Sequence, residues 1–158
     1  MNKRAFLASA VILMLASALQ AQGKIPPDRD GLLNGEGMGL ASIAERNGFP
    51  GPKHLLELKD QLQLTPGQFE LARMLAESVS VSAKALGNEI VRNEEELNTM
   101  FRTGSVKEEA LQSKLREIGR LRADLRQVHL HAHIRLKQAL RPEQIELYSK
   151  LRGYEIKN

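Results

Sequence analysis

Three of the four histidines of this 158-residue chain lie in the run HLHAH, which spans residues 129–133. His129 and His133 stand four positions apart, and in a helix that spacing places both side chains on one face. Two imidazoles on one face suit Zn²⁺, Ni²⁺, Co²⁺ or Cu²⁺, so a metal site at His129 and His133 is one interpretation. A polar helix flank that happens to contain histidine is the other. In both interpretations, His131 points elsewhere.

A site of two histidines needs further ligands, because Zn²⁺ normally takes four. The chain has no cysteine, which excludes thiolate ligands and disulfide bonds. If the long helices described below fold back at about residue 103, Glu77 lies level with His129 and is the best carboxylate candidate. His54, the fourth histidine, belongs to a short helix expected near the same end of the molecule. Met38 is a candidate soft ligand.

No motif for catalysis accompanies these residues. The chain lacks a cysteine nucleophile, a G-x-S-x-G turn, a phosphate-binding loop and an H-E-x-x-H helix. Its formal net charge is +4, and two of the positive charges, Lys3 and Arg4, precede an apolar run. That balance does not favour nucleic acid as a partner. We therefore expect a binding protein and not an enzyme.

Helical periodicity dominates the chain after residue 52, so the expected fold class is all-α. One long helix should run from Pro66 to about Met100. After the break RTGS, Ser105 and Glu108 predict a capping box and a second long helix that ends near Leu140. A heptad seam runs along this second helix through Leu111, Ile118, Leu125, Ala132 and Ala139.

Two long helices joined by a tight turn predict an antiparallel hairpin with short flanking helices, near residues 53–63 and 142–152. Gly87 and Gly119 would then lie at the same level of the hairpin. Glycine costs about 1 kcal/mol in a helix interior. The pair therefore predicts a close crossing of the two helices, unless either glycine simply faces solvent.

The two ends of the hairpin carry one phrase twice, LTPGQ at residues 64–68 and LRPEQ at residues 140–144. In the first copy Thr65 caps the helix, proline occupies its first position and Gln68 reaches back to the cap residue. In the second copy Arg141 replaces the capping threonine, although Leu140 and Gln144 match Leu64 and Gln68. Each phrase is expected to start a helix at the open end of the hairpin.

The first 52 residues divide into two segments. Residues 1–21 have the basic start, apolar run and small residues of a secretory signal peptide, with cleavage expected after Ala21 or Ala18. Residues 22–52 are rich in glycine and proline and predict a flexible arm, with one helical turn near Leu40 to Arg46. We expect residues 53–153 to form the helical domain of an exported protein.

This arrangement resembles the Spy/CpxP, or LTxxQ, family of periplasmic stress proteins. The resemblance covers residues 53–153 and implies a hooked helical hairpin that pairs into a cradle-shaped homodimer. It also implies one of three functions: heavy-metal sensing, ATP-independent chaperoning, or modulation of an envelope-stress sensor kinase in the membrane. Where metal-sensing relatives carry their third-helix ligands, this chain has Ala132 and Leu136, so those ligands do not carry over in register.

The second long helix is also basic, with apolar residues among its charges. The candidate surface for unfolded clients or a partner comprises Arg116, Arg120, Arg126, Leu130 and Ile134. A solvated face with dimer contacts is the alternative. Because a pure chaperone does not need a histidine cluster, heavy-metal binding or sensing is the favoured function, with the chaperone and kinase-modulator functions as alternatives.

Overall fold

The computed structural model describes residues 23–154, and this range contains helices and no strand. The all-α class is therefore confirmed for this part of the chain, whereas the predicted signal peptide lies outside the described residues. The helices are α1 (Arg29–Asn34), α2 (Ser42–Arg46), α3 (Pro52–Glu57), α4 (Pro66–Arg102), α5 (Glu108–Ala139) and α6 (Pro142–Leu151). Within residues 23–154, no helix combines the length and apolarity that crossing a bilayer requires.

The long helices α4 and α5 pack along each other in opposite directions. Near the turn, Lys114 Nζ donates to Asn93 Oδ1 at 3.0 Å. At the far end, Gln68 Nε2 donates to the carbonyl oxygen of Ala139 at 2.9 Å. The pairing is antiparallel, because residues early in α4 meet residues late in α5.

Two apolar clusters hold the helices together. The first lies between α1, α4 and α5 and comprises Leu32, Ala83, Ile90, Val91, Leu121 and Leu125. The second lies at the open end, where the short helices meet α4 and α5, and comprises Leu55, Leu62, Ala72, Leu136, Leu140 and Tyr148. Ile118, Leu125 and Ala132 of the predicted heptad seam are buried, so the seam does face the interior.

Of the two capping boxes predicted from the sequence, one is present and the other is absent. Thr65 Oγ1 accepts from Gln68 N at 3.3 Å, and Gln68 Oε1 accepts from Thr65 N at 3.0 Å, so the predicted capping box is present. The box predicted at Ser105 is wrong, since α5 begins at Glu108 behind Lys107, which makes no side-chain cap. Ser105 lies in the turn itself, where its hydroxyl pairs with that of Thr103 at 2.9 Å.

The segment expected to be a flexible arm instead packs against the long helices. We define the arm as residues 23–51. Its helix α1 inserts Leu32, 1% exposed, into the first apolar cluster. The close crossing predicted for the two glycines is also corrected: Gly87 is buried against the backbone of Leu32, whereas Gly119 has open space where a Cβ would be. Counting residues from the turn gives the position of each glycine along the hairpin. It does not give the side of the helix on which the glycine lies.

Candidate functional site

A cleft of about 940 Å³ opens between the arm, α3 and the long helices. Its floor is formed by α4 and α5, and its roof by the glycine-rich loop after α1 and by the start of α3. The side chains that line it include Glu45, His54, His129 and His133, which can bind a metal ion or a proton. The arm and the histidine run, which are far apart in the sequence, therefore share one site.

His129 lies on the floor of the cleft and is 9% exposed. Its Nε2 atom is buried and has no hydrogen-bond partner among residues 23–154. Burial lowers the pKa of His129, and the nearby His133 lowers it further. A buried imidazole nitrogen without a partner is costly unless a ligand occupies it, because it has lost its hydrogen bonds to water. This atom marks the cleft as a candidate binding site.

His133 lies one turn further along α5 and is held by the arm. Its Nδ1 atom is 2.8 Å from the carbonyl oxygen of Phe49. Because a carbonyl oxygen can only accept, Nδ1 carries the proton, and in the neutral imidazole Nε2 keeps the lone pair. A backbone carbonyl on the second ring nitrogen is the usual arrangement for orienting a metal-binding histidine.

Glu45 is the buried carboxylate of the cleft, and no sequence pattern indicated it. It is a buried side chain of α2 whose Oε1 accepts from His54 Nδ1 at 2.6 Å and from the Tyr148 hydroxyl at 3.1 Å. Its Oε2 accepts from the Tyr154 hydroxyl at 2.9 Å. Burial raises the pKa of Glu45, but the bonds from His54 and the two tyrosines outweigh burial, and the net pKa lies below the usual range.

Glu45 and His133 converge on one point. A Cβ atom added to Gly51 would lie 2.8 Å from Glu45 Oε1 and 3.2 Å from His133 Nε2. The absence of a side chain at Gly51 therefore leaves both groups facing the same small space. No local pattern in the arm announces Glu45, because its importance comes from contacts with residues about a hundred positions away.

His54 lines the cleft, but both of its ring nitrogens are engaged. Nε2 lies 3.3 Å from an Arg152 nitrogen, which can only donate. The proton of His54 is therefore on Nδ1, which donates to Glu45. The predicted role of His54 as a metal ligand does not fit this arrangement; the side chain instead orients Glu45.

Of the other predicted ligands, Glu77 does not line the cleft, whereas Met38 does. Glu77 faces solvent and pairs with Arg73 at 3.2 Å on the outer side of α4. Glu77 lies at the same position along the helix pair as His129, but its side chain points away from the cleft. Met38 lies in the roof, but its sulfur packs against Gly31. His131, as expected, points elsewhere and is exposed.

The predicted partner surface of α5 is mostly accessible. Arg116, Arg126 and Ile134 are exposed, and Leu130 is half-buried. Arg120 is exposed as well, but it is engaged with two carboxylates of its own helix, those of Glu117 and Asp124, each at 2.7 Å. The surface is therefore basic, but Arg120 adds little to its positive charge because it is paired with these carboxylates.

Across residues 23–154, no group of three or more His, Cys, Asp or Glu side chains is arranged to hold a metal ion. The cleft thus offers two imidazoles, and a neighbouring carboxylate whose oxygens already accept hydrogen bonds. No protein-family model, curated protein or solved structure matches this chain. The chemistry of the cleft is therefore the basis for assigning a function.

Proposed function

We propose that the protein binds a divalent transition-metal ion in the cleft, through His129 and His133, and that it acts as a heavy-metal-binding or metal-sensing protein without catalysis. The observation that carries the proposal is the buried, unpartnered Nε2 of His129. One turn away, the Phe49 carbonyl leaves the Nε2 of His133 free to bind. Two imidazoles at this spacing favour Zn²⁺, Ni²⁺, Co²⁺ or Cu²⁺ over Mg²⁺ and Ca²⁺, which prefer oxygen ligands.

The negative charge of the cleft lining favours the binding of a cation. Three glutamates line it, Glu36, Glu45 and Glu57, against one lysine, Lys53. This acidic lining contrasts with the formal charge of +4 for the chain. Two imidazoles alone bind weakly, so water or the neighbouring Glu45 carboxylate completes the shell. Use of Glu45 requires it to give up part of its hydrogen bonding with the tyrosines.

Calorimetric titration of the chain with Zn²⁺, Ni²⁺, Co²⁺ and Cu²⁺ tests the proposal. The double variant His129→Ala with His133→Ala should abolish binding. His131→Ala is the matched control, because it removes the exposed histidine of the same run, and it should leave the affinity unchanged. Parental affinity in the double variant would show that the site lies elsewhere.

The setting we propose is the periplasm, with the protein as a member of the LTxxQ family. The antiparallel long helices and the capped LTPGQ start support this assignment. The hooked hairpin that pairs into a cradle-shaped homodimer belongs to the same proposal. In a sensing role, the partner is a membrane sensor protein that responds to the metal-bound form.

A second candidate, a chaperone for unfolded chains, is supported by apolar side chains exposed on the long helices. Val81 is 65% exposed, Met74 55% and Ile134 45%. The helix α5, which carries Ile134, also carries the basic Arg116 and Arg126, which would attract acidic segments. Suppression of client aggregation by the chain, and its loss in Val81→Ser with Ile134→Ser, tests this function independently of metal.

A further inference from the structure

We propose that Gly87 is the seat on which the arm docks, and that docking of the arm is coupled to cation binding in the cleft. The coupling rests on the proposed function, whereas the seat does not. Gly87 lies in the middle of α4 and does not line the cleft. Its influence on the site must therefore pass through the arm.

The contact at Gly87 is backbone against backbone. A Cβ atom at this position would lie 2.6 Å from the carbonyl carbon of Leu32 and closer still to the carbonyl oxygen. Side chains can rotate out of such a clash, but the backbone of α1 can relieve it only by moving as a unit. An alanine at position 87 therefore displaces α1 from α4.

Polar contacts surround this seat. Arg122 of α5 donates to Asp28 at 2.8 Å and to Glu94 at 3.1 Å, and Arg29 pairs with Glu95. The hydrogen bond from Arg122 lowers the pKa of Asp28. These pairs are partly exposed and worth little individually. The buried Leu32 and the close approach at Gly87 therefore dominate the docking.

After α1, the arm continues directly over His129 and His133. Gly37 lies above the His129 ring, so that a Cβ there would be 3.8 Å from its Cε1 atom. Further along, Phe49 holds His133 and Glu45 faces it. Undocking the arm exposes His129 to water and frees His133 to rotate, and both changes weaken cation binding. By linkage, a bound cation must stabilise the docked arm to the same degree.

Two glycine variants of the full chain test the proposal. Gly87→Ala and Gly119→Ala make the same change inside a long helix, and helix propensity alone predicts that both stabilise. We expect Gly87→Ala to speed amide hydrogen exchange across residues 29–46 and to weaken Zn²⁺ binding by about tenfold or more. Gly119→Ala should change neither, because nothing lies within 4 Å of its added Cβ. Saturating Zn²⁺ should slow exchange of the same amides in the parent.

Leu32→Ala gives a second test that needs no clash, since it removes the side chain that anchors α1. It should also speed amide exchange across residues 29–46 and weaken Zn²⁺ binding. It provides the test if Gly87→Ala does not fold. Unchanged exchange of the arm in both variants would overturn the seat. Rapid exchange with parental Zn²⁺ affinity would overturn the coupling alone. If the parent binds no Zn²⁺, Ni²⁺, Co²⁺ or Cu²⁺, the proposed function and the coupling fail together, and the exchange data still decide on the seat.

Discussion

Gln68 and Gln144, the last residues of the two repeated phrases, form a reciprocal pair of amide hydrogen bonds. Gln68 Nε2 donates to Gln144 Oε1 at 2.9 Å, and Gln144 Nε2 donates back to Gln68 Oε1 at 3.1 Å. Gln144 also donates to the carbonyl oxygen of Leu62 at 3.0 Å. Each glutamine additionally accepts from its own N-cap backbone, at Thr65 and Arg141. The repeat thus joins the starts of α4 and α6 at the open end.

This pair predicts a large effect of Gln144→Ala. Gln144 is 3% exposed, and its removal leaves the carbonyl oxygen of Leu62 without its donor. Gln68 loses its bonds to Gln144 but keeps those to Ala139 and Thr65. We expect the free energy of unfolding to fall by about 1–3 kcal/mol. Gln138→Ala, at an exposed position of α5, should have little effect. Chemical denaturation measures both, and equal stabilities of the two variants would contradict the bridging role.

The caps of the two phrases predict changes of opposite sign. Thr65→Ala removes the cap of α4 and should cost about 1 kcal/mol of unfolding free energy. Arg141 provides no side-chain cap, since a guanidinium has no acceptor. Arg141→Thr restores the hydroxyl and should stabilise the protein or leave it unchanged. A neutral Thr65→Ala in chemical denaturation would remove the capping account of LTPGQ.

Burial of His129 predicts a loss of stability in mild acid when metal is removed by a chelator. Its pKa is lowered in the folded state, whereas the unfolded chain has the ordinary value of about 6.5. As pH falls below that value, the unfolded state takes up the proton first. Stability should therefore be highest above pH 6.5, and the contribution of this one group should fall by at most about 1.4 kcal/mol per pH unit until the folded-state pKa is passed.

The control for this pH effect is His131→Gln, which changes an exposed histidine of the same helix. It should keep the pH dependence of the free energy of unfolding, whereas His129→Gln should reduce it. Denaturant titrations at pH 7.5 and pH 5.5 make the comparison. A parental pH dependence in His129→Gln would mean that another group is responsible.

The proposed homodimer predicts concentration-dependent association. Leu115 is 51% exposed and Ile134 45%, both on α5. Leu136 of the same helix is instead in the core at 1% exposure and takes no part. Sedimentation of the parent should show a dimer at micromolar concentration, and Leu115→Lys with Ile134→Lys should shift it to monomer. A stably folded parental monomer would contradict the assembly.

Glu77→Gln and Glu45→Gln separate the carboxylate expected from the sequence from the one in the cleft. Glu77 is on the outer side of α4, so its change should not alter Zn²⁺ affinity. Glu45 lines the cleft, and its change should weaken binding. Calorimetric titration measures the Zn²⁺ affinity of both variants. Weaker binding in Glu77→Gln together with parental binding in Glu45→Gln would place the cation on the other side of α4.

Local signals in the sequence determined the two long helices and the shared face of His129 and His133. Periodic apolar residues and the Thr65 box set where α4 and α5 lie, because capping and helix periodicity involve residues only a few positions apart. The antiparallel order of α4 and α5 followed from the tight turn at about residue 103. The chain thus specifies its helix pair through short-range rules.

Only the tertiary structure decided which residues meet. Residue counting places Glu77 level with His129, but the rotation of a helix about its axis depends on the whole packed surface, and that rotation turned Glu77 outward. The arm has no periodicity to reveal that Leu32 occupies the space beside Gly87, or that Glu45 enters the cleft. These contacts join residues about 55 to 110 positions apart, and they form because burying Leu32 and satisfying Glu45 require partners that the arm itself does not contain.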